Sequence, residues 1–196
     1  MIDLFIKGGP IMWPLLAASI VALSVALERL WFLLAETSRR DHDRVQAVLS
    51  LVEREDISGA CKLGEESRDY VARALSQALK HPNSFPDAMA AAARKELHRF
   101  SRGLSILDTI ITLAPLLGLL GTVTGMIRSF GMLSGAELGA PAGITGGIAE
   151  ALIATAFGLG VAITALLPFN LLNSSEETAR LELQEVASRA ELLLKR

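Results

Sequence analysis

Residues 148–167, IAEALIATAFGLGVAITALL, form an apolar run of membrane-spanning length that still contains polar groups. Glu150 stands near its start, and threonines interrupt it further on. A charge or an unpaired hydroxyl is costly in hydrocarbon, so polar groups kept at such depth usually face a helix bundle or water. We therefore predict a membrane helix that helps to line a conduit.

Three apolar blocks of this kind occur in the 196-residue chain, at 10–34, 104–127 and 148–172. Each approaches or exceeds the roughly 20 residues that an α-helix needs to cross about 30 Å of hydrocarbon. A water-soluble domain would instead distribute its apolar residues with a helical or strand period. The predicted fold class is all-α: an integral membrane protein with three transmembrane helices, long helices extending into the cytoplasm and a helical cytoplasmic loop.

The basic residues indicate how the spans are oriented. Of the 19 Lys and Arg residues, 13 lie within 29–102, and the connection 129–147 contains none. The positive-inside rule then puts the middle segment and the C-terminus in the cytoplasm. The predicted organisation is a periplasmic N-terminus with the first span (1–34), a cytoplasmic helical loop (35–103), the second span (104–128), a short periplasmic loop (129–147), the third span (148–172) and a cytoplasmic helical tail (173–196).

The first apolar block is expected to be retained as a signal-anchor. It lacks a basic N-terminal region, and its apolar run is too long for a signal peptide. The single cysteine, Cys61, lies in the predicted cytoplasmic loop, where a half-buried structural position is the simplest interpretation. No internal disulfide is therefore expected.

Helical patterns also fill the segments outside the spans. Asp41 and Asp56 are each predicted to cap a helix, and another helix is expected over about 68–80. The third span is predicted to continue as one helix over about 148–194, half of it beyond the membrane. In its tail, apolar residues recur at the spacing of a helical packing seam: Ala179, Leu183, Val186, Ala190 and Leu193.

A further helix is predicted to lead towards the second span. Ser84, with Pro86 and Asp87 after it, has the pattern of a capping box with proline in the first turn. The helix that follows could run directly into the second span, because Gly103 weakens a helix without forbidding it.

Small residues and one proline characterise the second and third spans. Pro115 removes a backbone hydrogen bond and is predicted to kink the second span. Gly118, Gly121 and Gly125 form a track along which another helix can approach closely. The third span has its own small-residue stripe: Ala151, Ala154, Gly158, Ala162 and Ala165. These tracks predict tight helix packing, within or between subunits.

Glu150, Thr155 and Thr122 are the candidate residues of an ion path, and each has a structural alternative. A carboxylate in the first turn of a helix is stabilised by the macrodipole and unpaired amides, and Glu150 could also lie among lipid headgroups. A lone threonine in a membrane helix usually donates to a carbonyl of its own helix. Because hydroxyls cannot hold a proton charge, a titrating acid would have to be Glu150 or come from another chain.

The remaining polar residues favour structural roles. Asp108, near the cytoplasmic end of the second span, is expected at the membrane interface or in a salt bridge with Arg102. Glu28 and Arg29 are expected to anchor the first span at the inner surface. The three histidines are widely spaced, and the sequence has no metal-site spacing, nucleophile elbow or phosphate-binding glycine loop. We expect no enzyme activity, metal or cofactor, and no nucleic-acid partner.

The motifs of spans two and three resemble those of the MotA/TolQ/ExbB proton-channel family, specifically its three-span ExbB/TolQ branch. The segments that carry the resemblance are 114–127, APLLGLLGTVTGMI, and 148–163, IAEALIATAFGLGVAI. The Glu28-Arg29 pair and the order of short outer segment, large cytoplasmic loop and long tail also fit. The resemblance extends over essentially the whole chain.

This resemblance implies a proton-channel subunit of a motor that is driven by the proton-motive force across the bacterial inner membrane. It implies a pentameric ring whose pore, lined by spans two and three, encloses single-span helices of an ExbD/TolR-type partner that carries an essential aspartate. Force would pass to a TonB- or TolA-like periplasmic protein. Carried over to this sequence, Thr122 and Thr155 become pore residues near that aspartate, and Glu150 becomes the acid at the outer end of span three.

The sequence departs from the family pattern at one place. The family usually has proline directly after the Ala-Ile that ends the span-three motif, whereas here Thr164 follows and Pro168 comes four residues later. We therefore expect the kink about one turn nearer the cytoplasm.

Other functions remain open at the level of sequence. A structural oligomeric scaffold would use the glycines and threonines for packing alone. A small-molecule transporter would be supported only by Pro115, and no internal repeat indicates an inverted-repeat fold. A MotA-like flagellar stator is disfavoured, because those chains carry four spans.

Overall fold

The structure, a computed structural model, describes residues 2–135 and 141–195. Helices account for 89% of the chain, and the described residues contain no strand, which confirms the all-α fold class. A 3-10 turn spans Pro82–Ser84. The helices are α1 (Ile2–Lys7), α2 (Met12–Ser38), α3 (His42–Glu53), α4 (Ile57–Glu65), α5 (Tyr70–Leu79), α6 (Phe85–Ser101), α7 (Leu104–Gly135) and α8 (Pro141–Leu194).

Three helices are long and apolar enough to cross a membrane, as predicted. The segments that meet this criterion are Met12–Ser38, Leu104–Gly131 and Thr145–Leu194. Both α7 and α8 extend into the predicted periplasmic loop 129–147, of which residues 136–140 lie outside the described part of the chain. The side of the membrane on which each terminus lies stays a prediction.

The chain divides into two compact units. The membrane unit comprises the described residues of Met1–Glu28 and Gly103–Asn170. The charged unit comprises those of Arg29–Arg102 and Leu171–Arg196, where charged side chains are most numerous. The single helix predicted for 148–194 is confirmed, and it begins earlier, at Pro141. Each unit has its own buried core.

Close backbone contact between α7 and α8 holds the membrane unit together. A Cβ added at Gly158 would lie 2.6 Å from the carbonyl oxygen of Ala114, and one at Gly118 would lie 3.1 Å from that of Ala154. A Cβ added at Gly121 would lie 2.5 Å from the Cβ of Ala154. At such separations only hydrogen fits in place of a side chain, so the small residues are what allow the two helices to meet.

The charged unit has a conventional apolar core. Its largest fully buried side chains include Leu75 and Leu79 of α5 and Leu183 of α8. Ala179, Val186 and Ala190 of the predicted tail seam are also buried, and Leu193 packs against the same core, which confirms the seam. The tail of α8 is therefore an integral part of this unit.

Aspartates cap three helices of the charged unit. Asp41 accepts a hydrogen bond from Arg44 N at 3.0 Å and Asp56 from Gly59 N at 2.9 Å, which confirms both predicted caps. Asp69, which the sequence analysis did not select, caps α5 by accepting from Val71 N and Ala72 N. Each cap satisfies a backbone N–H that the first helical turn leaves unpaired.

The predicted capping box at Ser84 is wrong. Ser84 stands at the N-cap position of α6, but its side chain makes no capping hydrogen bond. The preceding Pro82–Ser84 segment forms a 3-10 turn, and Ser84 N donates to His81 O at 3.0 Å. The serine is therefore the end of that turn, and its backbone is not in the extended conformation typical of an N-cap.

Gly103 interrupts the chain instead of joining two helices. Helix α6 ends at Ser101 and α7 begins at Leu104, so the continuous helix considered above does not form. Gly103 has φ of +81°, in the left-handed region that glycine adopts without the steric cost of a Cβ.

Candidate ion-conduction site

Glu150 forms an ion pair with Arg128 within the membrane unit. Arg128 Nη1 lies 3.1 Å from Glu150 Oε1, and the two side chains are 54% and 26% exposed. Because α8 begins at Pro141, Glu150 lies well past the first helical turn. The helix macrodipole acts mainly within the first turn, so it does not account for the carboxylate of Glu150 at this position.

A glycine turn lies directly against Glu150. Gly9, between α1 and α2, has φ of +74°, and a Cβ placed there would collide with the Glu150 carboxylate. At the adjacent Gly8, a Cβ would lie 3.1 Å from Cγ2 of Ile153. The absence of both side chains lets this turn approach α8, so three chain segments meet around Glu150.

Thr155 lies at the contact between α7 and α8. Its hydroxyl donates to the carbonyl oxygen of Gly118 on α7 at 3.2 Å and to that of Ala151 on its own helix at 3.3 Å. The side chain is half-buried. Thr155 therefore contributes a hydroxyl to the packed interface of the two helices.

Thr122 makes a different contact. Its hydroxyl donates to Leu119 O on its own helix at 2.6 Å, as the structural alternative for a lone threonine expects. The side chain is half-buried on the edge of the glycine face of α7. With its proton engaged by the backbone, the oxygen of Thr122 can still accept a hydrogen bond from water.

The other predicted site residues all lie at or beside the same helix pair. Pro115 is inside α7, one residue after Ala114, whose carbonyl faces Gly158. A Cβ at Gly125 would lie 3.0 Å from both the Ala151 Cβ and the Gly147 carbonyl oxygen. The described residues contain no group of His, Cys, Asp and Glu that could hold a metal ion.

Residues 63–185 match the model of the MotA/TolQ/ExbB proton channel family, which is more than half of the chain. The chain belongs to this family. The matched region contains Thr122, Glu150 and Thr155, whereas Gly9 lies outside it. Membership in a family of proton-channel proteins agrees with the three apolar helices and with the polar residues that they carry.

Several MotA/TolQ/ExbB relatives are similar to the chain. Biopolymer transport protein ExbB-like 1 of Synechocystis sp. is 43% identical over 204 residues, covering 98% of this chain and 78% of that protein. ExbB-like 3 of the same organism is 36% identical over 195 residues, covering 96% and 92%. The Tol-Pal system protein TolQ of Haemophilus influenzae is 41% identical over 86 residues, covering 44% and 38%.

Arg128 and Gly9 were not predicted as neighbours of Glu150. The sequence did contain a signal for Arg128. This residue directly follows the apolar run of the second span, and Glu150 lies near the start of the third span. Consecutive spans joined by a short connection run antiparallel, so the end of one lies beside the start of the next. Gly9 had no such signal, since its contact depends on how the first turn folds back.

A second polar cluster, in the charged unit of this MotA/TolQ/ExbB protein, was also missed. Glu96 accepts hydrogen bonds from Arg73 Nη2 and Arg99 Nη1, both at 2.8 Å. Glu36 lies 3.7 Å from Arg73 and 3.5 Å from Arg99, and among the described residues its Oε1 accepts no hydrogen bond. Burial alone would raise the pKa of the Glu96 carboxyl, but the hydrogen bonds from Arg73 and Arg99 outweigh it and lower that pKa.

The surroundings of this cluster hold further buried charges. Arg29 is only 4% exposed and donates to the carbonyl oxygen of Arg99 at 3.2 Å, so the protein itself holds this side chain. That Glu28 and Arg29 anchor the first span at the inner membrane surface stays a prediction. Its guanidinium lies 4.9 Å from the centre of the Phe32 ring, a position in which the cation is attracted to the ring face.

A second set of ion pairs and hydrogen bonds links the segment after α2, the start of α5 and the tail of α8. Arg40 pairs with Asp69 and with Glu182, and the Tyr70 hydroxyl donates to Glu182. Burial and the hydrogen bond to Glu182 raise the pKa of Tyr70. Asp108 of the membrane unit differs from all of these acids: its side chain is exposed, and the structure gives it no ion pair among the described residues.

Proposed function

We propose that this chain is the proton-channel subunit of an inner-membrane motor that is driven by the proton-motive force. It works with a single-span partner of the ExbD/TolR type and energises transport across the outer membrane or its maintenance. The chain forms a homo-oligomeric ring, pentameric by resemblance to the family, with a periplasmic N-terminus and a cytoplasmic C-terminus. It acts mechanically, without an enzymatic step, and passes force to a TonB- or TolA-like protein.

The observation that carries this proposal is the position of Thr155. Its hydroxyl lies at the α7–α8 contact and donates to Gly118 O and Ala151 O. The proton is therefore occupied, and the oxygen lone pairs remain available to water. A packed pair of apolar helices thus keeps a hydrogen-bond acceptor at a depth where hydrocarbon disfavours one, which supports a water-accessible path beside it.

The distribution of acids supports the need for a partner. Within the predicted spans the only acidic residues are Glu28, Asp108 and Glu150, all towards span ends. A proton path through the middle of the membrane therefore requires a carboxylate from another chain. An aspartate on a partner helix inside the ring would supply it, and its protonation would relieve the cost of a buried charge.

The first experiment is purification of the tagged chain from its native membranes in a mild detergent, followed by identification of co-purifying proteins. A small single-span protein with an aspartate in its membrane helix is expected. A ring that contains no such partner, even after mild crosslinking, would contradict the motor function.

The second experiment tests Thr155 directly. Thr155→Val keeps the shape of the side chain and removes its hydroxyl, so ion-driven function should fall by at least about tenfold, equivalent to about 1.4 kcal/mol of barrier. Thr155→Ser should restore it. Thr164→Val is the matched control, because Thr164 is exposed on the same helix and its hydroxyl donates to Gly160 O of that helix at 2.8 Å.

Variants at the other two site residues extend the test. Thr122→Val should impair function more than Thr124→Val, since Thr124 is an exposed neighbour that also donates to its own helix, to Leu120 O at 2.9 Å. Glu150→Gln should impair function while the oligomer persists. Normal growth of Thr155→Val cells on a limiting substrate whose uptake requires this motor would rule out the pore role of Thr155.

A structural scaffold is the second candidate function. The observation in its favour is that the hydroxyls of Thr122 and Thr155 both donate to backbone carbonyls, as packing alone would require. The scaffold predicts that Thr155→Val affects assembly and that neither the unmodified protein nor the variant conducts ions. The motor predicts an intact oligomer with lost flux, so assembly and flux measured on one preparation separate the two functions.

A further inference from the structure

Two faces of helix α7 lie towards other helices of the membrane unit, one towards α2 and one towards α8. One face, with Ile110, Leu113 and Leu117, lines a groove of about 520 Å³ together with Pro14 and Ala17 of α2. The second face carries Ala114, Gly118, Gly121 and Gly125 and packs on α8. As far as Gly125 neither of these two faces carries a charged residue; Arg128, further along α7, projects on the same side as Ile110 and pairs with Glu150.

The third face of α7 is exposed and polar in its first half. At 3.6 residues per turn, Asp108, Thr112 and Leu119 project within an arc of about 40°, and Thr122 lies beside that arc. Asp108 and Thr112 are both exposed. Asp108 precedes Thr122 by 14 residues, which is about 21 Å along the helix axis at 1.5 Å per residue.

The threonine hydroxyls near Asp108 donate their protons to backbone carbonyls, so only their oxygen lone pairs remain available to other groups. Thr112 Oγ1 donates to Thr109 O at 2.9 Å and to Asp108 O at 3.2 Å, and Thr109 Oγ1 donates to Ser105 O at 2.7 Å. With their protons engaged, these oxygens can only accept further hydrogen bonds. Together with the Asp108 carboxylate they form a surface that attracts a cation or the protons of water.

The charges around Asp108 reinforce this preference. On α8 there is no charged residue between Glu150 and Glu176, and α2 has none before the Glu28-Arg29 pair. Arg102 precedes α7 in sequence, and Arg128 lies 20 residues further along it. Asp108 is the fifth residue of α7, near the end of the span, where a carboxylate without a cationic partner favours contact with water or other protein over lipid tails.

We propose that Asp108 is a proton-accepting site on the cytoplasmic half of the conduit, assisted by Thr112. A proton leaving the partner's carboxyl through water binds the Asp108 carboxylate and is then released to cytoplasmic water. No bond other than O–H forms or breaks, and the carboxylate is regenerated. This inference rests on the proposed function and adds a second titrating acid, supplied by the ring itself.

The test is proton flux through the full complex, co-purified with its partner and reconstituted into vesicles that contain a pH-sensitive dye. Under a potassium-diffusion potential, Asp108→Asn should lower the flux by at least about tenfold, equivalent to about 1.4 kcal/mol of barrier. Asp108→Glu should retain more than half of the flux. Asp87→Asn, at an exposed acid of α6, is the matched control and should leave the flux unchanged.

Chemical rescue distinguishes a proton acceptor from a structural residue. After subtraction of its own diffusion into protein-free vesicles, a small weak acid such as formic acid should restore flux in Asp108→Asn vesicles and not in Thr155→Val vesicles. Native mass measurement of each complex verifies that the ring is intact. An intact Asp108→Asn ring whose lost flux formic acid does not restore would overturn the proposal.

The outcomes also separate this proposal from the function on which it rests. If Asp108→Asn conducts normally while Thr155→Val does not, Asp108 is not a proton site and the channel function stands. If neither variant alters flux, or the unmodified complex conducts no protons, both proposals are overturned.

Discussion

The two units of this protein are held together by opposite means. In the membrane unit, α7 and α8 approach until a Cβ on Gly158 would lie 2.6 Å from a carbonyl oxygen, and few charges are present. In the charged unit, large side chains such as Leu75 and Leu183 fill the core, and three arginines lie beside four acids. The contrast is greatest along α8, which uses Ala154 and Gly158 in one half and Leu183 in the other.

The difference follows from the surroundings that each unit requires. Lipid tails are as apolar as leucine, so membrane helices gain little from burying large side chains and associate through close van der Waals contact. In water, burial of large apolar side chains is the dominant favourable term. The charged unit can therefore tolerate buried ion pairs, because its apolar core offsets their desolvation.

The largest expected loss of stability comes from removing a buried charge of the charged unit. Glu96→Gln removes the nearer of the two carboxylates beside Arg73 and Arg99 and leaves only Glu36, at 3.7 and 3.5 Å. Because removing one partner of a buried pair costs about 3–5 kcal/mol, we expect a loss near the lower end of that range. In a Trp13→Phe background the fluorescence of the remaining tryptophan, Trp31, reports on the charged unit. The thermal unfolding midpoint of this unit should fall by several degrees. Glu177→Gln, at an exposed acid 3.6 Å from Arg180, is the control and should have little effect.

The second effect breaks the packing of the membrane unit. Gly158→Ala would place a Cβ against Ala114 O and 3.0 Å from the Gly118 Cα, so α7 and α8 must separate. Overpacking of this kind costs about 1–3 kcal/mol. In a Trp31→Phe background, Trp13 should report a lower thermal midpoint. Gly160→Ala is the control: it is the same substitution on the same helix, a Cβ there meets open space, and it should be neutral. Equal midpoints for the two variants would contradict close packing at Gly158.

Acid should distinguish the two units by their pH dependence. Because the pKa of Glu96 is lower in the folded protein than its ordinary value of 4.5, the unfolded chain binds this proton first on acidification. Glu96 therefore stabilises the charged unit above that pH, and the stabilisation is lost as the pH falls below it. Thermal midpoints from Trp31 should decrease below about pH 4.5, and Glu96→Gln should reduce the slope; an unaltered slope in the variant would exclude Glu96 as the cause.

The smallest effect is expected at an exposed ion pair of the membrane unit. Arg128 and Glu150 are 54% and 26% exposed, and pairs of this kind contribute about 0–1 kcal/mol. Arg128→Gln should lower the Trp13 midpoint slightly at low salt and hardly at high salt, and Arg128→Lys should restore it. Arg180→Gln should cause an equally small, salt-dependent loss in the charged unit. Equal losses at the two exposed pairs would show that the units differ in their interiors and not at their surfaces. A loss as large as that of Glu96→Gln would contradict this.

Prediction from sequence succeeded where a feature depends on neighbours in the chain. The three spans, the caps at Asp41 and Asp56 and the tail seam follow from composition and helical spacing. It failed at Ser84 and Gly103, where several structures are locally compatible. Whether Ser84 caps a helix or ends a 3-10 turn depends on the backbone before it, and whether Gly103 continues or ends a helix depends on what packs on either side.

The same limit applies to the candidate site. Thr122, Glu150 and Thr155 could be selected because a polar residue in an apolar run is visible in one dimension. Their partners could not, since Arg128, Gly9 and the carbonyl of Gly118 are 22, 141 and 37 residues away from the groups that they contact. The same is true of Arg29, whose burial depends on the carbonyl of Arg99, 70 residues later.

By itself the sequence determined the class of this protein: three apolar helices, a polar helical remainder and the family motifs of spans two and three. Bilayer thickness and backbone hydrogen bonding leave few alternatives for such a chain, because a long apolar segment in lipid must be a helix. Only the tertiary structure decided which charges pair, which glycines touch and which face of α7 stays open. Those contacts depend on distances between segments remote in sequence, and close packing leaves one arrangement that accommodates them all.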